Sequence, residues 1–165
     1  MAENKYGKYF INYGGEQKFP LGKILAQFDN NSVKDSHYYF LHWVMPETDL
    51  TAEGFQVGHP PHRHQAPEVL FHIGANPRDP LDLGAEIEFH FGKEMEKHVI
   101  TRTSIIFIPA GVIHGPWKPL KIGHPFLFLE VNQELKLTTQ FFPELLPPEQ
   151  RNKVDWKAWE EKNYQ

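Results

Sequence analysis

Short apolar runs, separated by turn residues, follow one another along most of the chain. The segment EIEFHFG (86–92) alternates polar and apolar residues, which is the period of a half-buried strand. Four further runs are rich in aromatic and β-branched residues and are typical of strands: YYFLHWVM (38–45), EVLFHIG (68–74), SIIFIP (104–109) and HPFLFLEVN (124–132). Proline and glycine punctuate the segments between them, so we expect short connections.

Weaker patterns add shorter strands at 24–28, 55–57, 98–101 and 135–142. After Pro147 and Pro148 the pattern changes, because EQRNKVDWKAWEEKNY (149–164) is charged and has only Val154, Trp156 and Trp159 as apolar anchors. This predicts a C-terminal helix on the surface. Many short strands with one terminal helix predict an all-β sandwich or barrel.

The same patterns suggest an organisation into three segments. We expect an N-terminal extension with edge strands at 1–36, a barrel at 37–146 and a helical tail at 147–165. A chain of 165 residues suits one domain, and its 40% of hydrophobic residues can bury a sizeable core.

Charge and hydropathy narrow the expected partners and location. The net charge is -4 with histidines neutral, and no basic stripe is present, so we do not expect nucleic acid as a partner. No apolar run approaches the roughly 18 residues of a membrane span. The polar and aromatic N-terminus lacks the apolar segment of a signal peptide, which favours a cytoplasmic location.

The chain has ten histidines and no cysteine. Disulfides, thiolate metal sites and cysteine nucleophiles are therefore excluded for this sequence. Histidine at this density points toward metal or proton chemistry.

The strongest chemical signal is the spacing His62-x-His64-x3-Glu68. Residues two apart on an extended backbone point to the same face, so the two imidazoles project together. Glu68 opens the next strand after a short turn through Pro67 and can return to that face. Two imidazoles and a carboxylate suit one divalent ion of iron(II), manganese, nickel, cobalt or zinc.

His114 is the candidate fourth ligand. It follows a buried strand and the turn Pro109-Ala110-Gly111, which reverses the chain tightly. A histidine three residues past Gly111 can therefore face back into a barrel.

These residues resemble the two motifs of the cupin superfamily. GHPPHRHQAPEVLFHIG (58–74) is similar to the first motif through His62, His64 and Glu68, although Gly58 stands two residues closer than usual and Gly74 one residue early. TSIIFIPAGVIH (103–114) is similar to the second through Pro109, Gly111 and His114. Its opening glycine is replaced by Thr103, and Lys118 holds the usual asparagine position.

The resemblance implies a double-stranded β-helix of the jelly-roll type, with a metal near one mouth bound by His62, His64, Glu68 and His114. It also leaves the reaction open, because one fold hosts many chemistries. We expect a small-molecule enzyme of the dioxygenase type. The alternatives are a metal-dependent isomerase or lyase, and a non-catalytic module that binds metal or ligand.

A few neighbouring residues complete the sequence hypotheses. His72 shares a strand face with Glu68 and is the candidate catalytic proton carrier, or alternatively a hydrogen-bonded core residue. Trp117 and Lys118 follow His114 and are candidates for binding an anionic or aromatic substrate, or for packing at the rim. The aromatic segment KYGKYFINY (5–13) favours a homodimer, because pairing would cover an exposed edge.

Overall fold

A computed structural model describes residues 6–11, 18–159 and 164 of the chain. Within these residues the fold is almost entirely β. The strands are β1 (Lys18–Phe19), β2 (Gly22–Phe28), β3 (Tyr38–Val44), β4 (His62–Arg63), β5 (Glu68–Gly74), β6 (Asp82–Phe91), β7 (Glu96–Arg102), β8 (Ser104–Ile108), β9 (His114–Ile122), β10 (Phe126–Asn132) and β11 (Gln140–Phe141). The helical elements are three 3₁₀ turns, Gly7–Tyr9, Glu53–Phe55 and Pro143–Leu145, and one short α-helix, α1 (Pro148–Arg151).

The strands form two antiparallel sheets. One sheet has the order β1-β2-β3-β10-β5-β8 and the other has the order β11-β4-β9-β6-β7. Alternate residues of each strand face inward, so Ile87 and Phe89 of β6 are buried with Phe126 of β10 and Ile108 of β8. The two inner faces thus share one hydrophobic core, as expected for packed sheets.

The strand predictions are confirmed wherever the apolar pattern is continuous. The strands predicted at 38–45, 68–74, 86–92, 104–109 and 124–132 correspond to β3, β5, β6, β8 and β10. The shorter ones at 24–28 and 98–101 correspond to β2 and β7, each longer than predicted.

Two of the weaker strand predictions are wrong in whole or in part, and one strand was not predicted. The segment 55–57 is not a strand, because a 3₁₀ turn ends at Phe55, whose backbone amide donates to the carbonyl of Ala52 at 2.9 Å. Of the predicted strand 135–142, only Gln140–Phe141 forms a strand, because the Glu134 carboxylate accepts from the Thr138 amide at 2.6 Å and bends the preceding segment. Strand β9 was missed, because its glycine and two prolines look like loop signals.

The predicted C-terminal helix is confirmed only as one short turn. The chain is α-helical over Pro148–Arg151 and then continues through turns to residue 159. The Trp156 indole donates to the carbonyl of Arg151 at 3.1 Å, and the Arg151 guanidinium donates to the carbonyl of Leu146 at 3.0 Å. These contacts fold the tail back toward the barrel instead of extending the helix. Residues 160–163 of the prediction lie outside the described residues.

Strands β1 and β2 lie in the predicted N-terminal segment 1–36, and the division between this segment and the barrel stays a prediction. Strands β1 and β2 form a hairpin at the edge of the six-stranded sheet, whereas residues 1–5 and 12–17 lie outside the described residues. Among the described helical elements, none has the length and apolar character needed to cross a membrane. The cytoplasmic location stays a prediction.

Candidate metal centre

Three histidines and one glutamate converge inside the barrel, near the ends of β4, β5 and β9. They are His62, His64, Glu68 and His114, and one ligand atom from each lies within 4.8 Å of all the others. His62 pairs directly with His114 across the β4–β9 ladder, so two of the four are brought together by strand register alone. All four side chains are buried. The structure therefore brings together the whole predicted ligand set.

Two glycines near the cluster have left-handed backbone conformations that other residues rarely adopt. Gly111 has φ +76 and donates its amide to the carbonyl of His64 at 2.8 Å, which ties the turn before β9 to the segment after β4. Gly58 has φ +78, and a Cβ there would lie 2.3 Å from the carbonyl oxygen of Trp117. Only glycine fits these positions without strain.

The histidine rings are oriented by backbone carbonyls. Each Nδ1 lies against one carbonyl oxygen: His62 on Pro60 at 2.8 Å, His114 on Val112 at 3.1 Å, and His64 on Thr138. A carbonyl can only accept, so each Nδ1 carries the proton and each Nε2 is left as a lone pair. This is the second hydrogen bond that metal-binding histidines commonly make.

The free ring nitrogens point at the glutamate. His114 Nε2 lies 3.0 Å from one Glu68 oxygen, and His64 Nε2 lies 3.7 Å from the other. Neither nitrogen has a hydrogen-bond partner although both are buried. Lone pairs of nitrogen and carboxylate oxygen therefore face each other without a proton between them. A cation at their centre resolves this arrangement, so the residues present fit a divalent metal.

Burial sets the protonation of the cluster. Desolvation lowers the pKa of His114 to about 4 and holds the pKa of His62 well below its usual value, in the latter case with help from His114. The pKa of His64 is also lowered by burial, against the opposing charge of Glu68. Burial raises the pKa of Glu68, and His64 and a hydrogen bond with Glu130 oppose that rise. Neutral imidazoles are the form that binds metal.

A hydrogen-bonded support holds His64 from behind. The carbonyl that accepts from His64 belongs to Thr138, whose own amide and hydroxyl donate to the Glu134 carboxylate at 2.6 and 2.8 Å. The Thr138 hydroxyl in turn accepts from the Gln65 amide at 2.8 Å. This network fixes the segment after β10 against the segment that carries the ligand. Sequence reasoning missed it, because Glu134 and Thr138 lie far from His64 along the chain.

The cluster lines a cavity of about 650 Å³ inside the barrel. All four residues contribute to its wall, together with Trp117 of β9. The loop 52–58 and the tail residues Ala158 and Trp159 line it from outside the two sheets. Cavities of this volume accommodate small molecules. A metal at the cluster would therefore be reachable by a bound ligand.

The structure separates the three candidates near the metal motif. Trp117 is buried and lines the cavity, whereas Lys118 is half-buried and does not line it. His72 is fully buried and does not line the cavity either, but its Nε2 accepts from the Trp117 indole at 2.9 Å. Burial lowers the pKa of His72 to about 3. Whether His72 takes part in catalysis stays a prediction.

Three cavity residues escaped the sequence reasoning. His59 is half-buried and pairs with Trp117 through two backbone hydrogen bonds of 3.0 and 3.1 Å. His42 and Glu130 also line the cavity, from β3 and β10. For His42 and Glu130 the sequence contained one signal, the alternation of inward-facing and outward-facing residues along a strand. Without knowledge of how the strands pair, this alternation does not show which face of each strand points into the barrel.

Two antiparallel sheets around the interior His₃Glu cluster form a jelly-roll barrel. An oxalate oxidase solved in complex with the substrate analogue glycolate confirms this fold: it is 14% identical, the match covers 87% of this chain and 68% of that chain, and the TM-score is 0.51. The predicted all-β jelly roll with a short terminal helix is thereby confirmed. No model of a known protein family matches the sequence, and no curated protein matches it.

Oxalate decarboxylases show a partial likeness. The formate complex of the Lactobacillus farciminis enzyme is 14% identical, and the match covers 78% of this chain and 33% of that chain with a TM-score of 0.47. The Bacillus subtilis enzyme, described with Mn(II) centres, is 14% identical over 79% of this chain and 31% of that chain with a TM-score of 0.48. The present chain thus spans about a third of the length of these decarboxylases.

Proposed function

We propose that this protein is a metal-dependent enzyme acting on a small molecule, with one divalent ion held by His62, His64, Glu68 and His114. The observation that supports it most is the pair of buried, unpartnered Nε2 atoms of His64 and His114, which face Glu68 at the wall of the cavity. A purely structural metal site is closed by its ligands, whereas a catalytic one keeps an open position. A cluster that lines a cavity matches the second kind.

The reaction class we propose is dioxygenation. Iron(II) would supply electrons for dioxygen chemistry at this site, whereas a redox-inert ion would polarise a carbonyl for isomerisation or elimination. Imidazole and carboxylate ligands suit iron(II), manganese, nickel, cobalt and zinc alike, so the ligand set does not choose among them. The isomerase or lyase is the second candidate, and the non-catalytic binding module is the third.

Trp117 and His72 would help to orient the substrate. Trp117 presents its ring to the cavity, and the His72 imidazole accepts the indole N–H behind it. We propose that His72 acts through Trp117, by fixing the ring that contacts the substrate, since His72 itself does not line the cavity. In this role His72 is a positioning residue.

A spectroscopic measurement tests the open position without knowledge of the substrate. The protein is loaded with iron(II), treated with nitric oxide, and its electron paramagnetic resonance spectrum is recorded. An iron–nitrosyl signal is expected, because nitric oxide would enter the position that faces the cavity. Iron-loaded protein that gives no such signal would favour a closed, non-catalytic site. Oxygen uptake with a panel of phenols then separates the dioxygenase from the isomerase or lyase.

We also propose that two copies of the chain associate as a homodimer. The outer face of the six-stranded sheet is apolar at its β5–β8 end, where Ile73, Ile105 and Phe107 are 39%, 65% and 58% exposed. Such a face on an edge strand is commonly covered by pairing. Sedimentation at micromolar concentration should give a dimer that Phe107→Glu dissociates, while Val99→Glu on the other sheet leaves it intact. A wild-type monomer would contradict the proposal.

A further inference from the structure

The cavity wall is unusually aromatic. Nine of its 26 described lining residues are phenylalanine, tyrosine or tryptophan. They come from both sheets and from the tail: Phe40 and Phe128 from one sheet, Phe89 and Trp117 from the other, and Trp159 from the chain after α1. Ring faces and edges on several sides favour a flat apolar guest, because aromatic pairs gain from offset and edge-to-face contact.

The charged groups of the wall are all acidic. Glu68 and Glu130 line the cavity, and the described lining residues include no lysine or arginine. Two cationic side chains lie close to the candidate ligands in the sequence, but neither lines the cavity. Arg63 donates to the Gln140 side chain at 2.9 Å and lies over the Phe142 ring, and Lys118 does not line the cavity.

His42 also lines the cavity, and it does not supply a positive charge. His42 is buried, and desolvation lowers its pKa to about 4, so its imidazole is neutral near pH 7. It is packed between Phe19, Phe40 and Phe128, with ring centroids at 4.5, 4.8 and 5.2 Å. An anion beside His42 would therefore meet aromatic rings and a neutral imidazole. The bound metal would be the positive centre of the site.

We infer that this site takes a flat aromatic substrate carrying at most one negative charge, which places a single oxygen at the metal and its ring among the aromatic side chains. The inference rests on the proposed metal site. A divalent ion with Glu68 as its one anionic ligand keeps one positive charge, which a single oxyanion neutralises. The second carboxylate of a dianion would be buried without a partner beside Glu130, at a large desolvation cost. We therefore expect dicarboxylates to bind this site more weakly than a singly charged or neutral aromatic molecule.

Isothermal calorimetry on the metal-loaded protein tests the inference with probes that share one ring system. The probes are 2-naphthol and naphthalene-2,6-dicarboxylate, and oxalate is the small dianion. We expect 2-naphthol to bind at least about tenfold more tightly than either dianion. Equal or tighter binding of a dianion would overturn the inference. Metal content is measured on the same sample, so a protein that holds no metal refutes the proposed function separately.

A matched pair of variants locates the probe. Phe141 lines the cavity beside Trp159, with ring centroids 5.9 Å apart, whereas Trp156 packs on Phe141 from outside the cavity. Phe141→Arg should weaken 2-naphthol binding roughly fivefold and strengthen dicarboxylate binding, since it removes a ring and adds a cation. Trp159→Leu should weaken 2-naphthol binding alone, and Trp156→Phe should change neither affinity. Unchanged 2-naphthol affinity in both Phe141→Arg and Trp159→Leu would overturn the assignment of this cavity.

Discussion

Replacing His72 with glutamine should make the fold less sensitive to acid. His72 is fully buried, and desolvation lowers its pKa from 6.5 to about 3. The imidazole is therefore neutral in the folded chain and free to protonate in the unfolded one. The unfolded state binds the extra proton below pH 6.5, so stability is complete above that pH and is lost as the pH falls toward the folded pKa. Glutamine keeps an acceptor for the Trp117 indole but does not titrate.

The magnitude follows from these two pKa values. At pH 5 the unfolded imidazole is almost fully protonated and the folded one is not, so His72 costs the wild type about 2 kcal/mol relative to pH 8. For a domain of this size that corresponds to roughly 4–8 °C in melting temperature. At pH 8 the variant should be less stable than the wild type by about 1 kcal/mol, because the glutamine amide fits the histidine site imperfectly. The difference in the free energy of unfolding between the variant and the wild type should therefore shrink as the pH falls from 8 to 5.

Urea unfolding at both pH values, with the metal removed by a chelator, measures the two free energies of unfolding. The control is His124→Gln, since His124 is exposed and its replacement should leave the pH dependence unchanged. If the free energy of unfolding falls by the same amount in wild type and His72→Gln between pH 8 and pH 5, His72 is not a buried neutral group packed behind Trp117.

Two further predictions concern the metal centre and its support. Chelation should lower the melting temperature by roughly 5–11 °C, because a metal at a hundredfold excess over its Kd stabilises the native state by about 2.7 kcal/mol. This difference in melting temperature should decrease in acid as the imidazoles protonate. Differential scanning fluorimetry with and without chelator measures the difference. Glu134→Ala should weaken metal binding by about 10–100-fold, because Thr138, whose carbonyl accepts from His64, loses its hydrogen bonds to the Glu134 carboxylate. Competition with a fluorescent chelator measures the affinity, and Glu149→Ala on the exposed surface is the control. Unchanged affinity in Glu134→Ala would show that the network does not orient His64.

Three of the four candidate ligands could be predicted because they lie close together along the chain. His62, His64 and Glu68 lie within seven residues, and an extended backbone sends both imidazoles to one face whatever the rest of the chain does. The buried strands were predictable for the same reason, since their apolar runs are continuous. Strand β9 was not, because Pro116 and Pro119 interrupt a segment that pairing with β4 and β6 nevertheless holds as a strand.

The rest of the site depends on contacts between distant segments. Thr138 reaches His64 across 74 positions of the chain, and Trp117 reaches His72 across 45. Such contacts depend on strand register and on the return of the chain, which no local pattern encodes. The tail shows the same limit, because Trp159 resembles a helix anchor in the sequence yet lines the cavity next to His59, with ring centroids 4.4 Å apart.

Metal content per chain, measured by elemental analysis in the wild type and in single alanine variants, shows whether these four residues bind a metal ion. The wild type should hold about one equivalent of a divalent metal, and His62→Ala, His64→Ala, Glu68→Ala and His114→Ala should each lose most of it, because every variant removes one ligand atom from a cluster whose atoms lie within 4.8 Å. His98→Ala and His124→Ala, at exposed positions, should retain the metal. A wild type without metal, or a His114→Ala variant that keeps its metal while His98→Ala or His124→Ala loses it, would show that the four residues do not form the metal site.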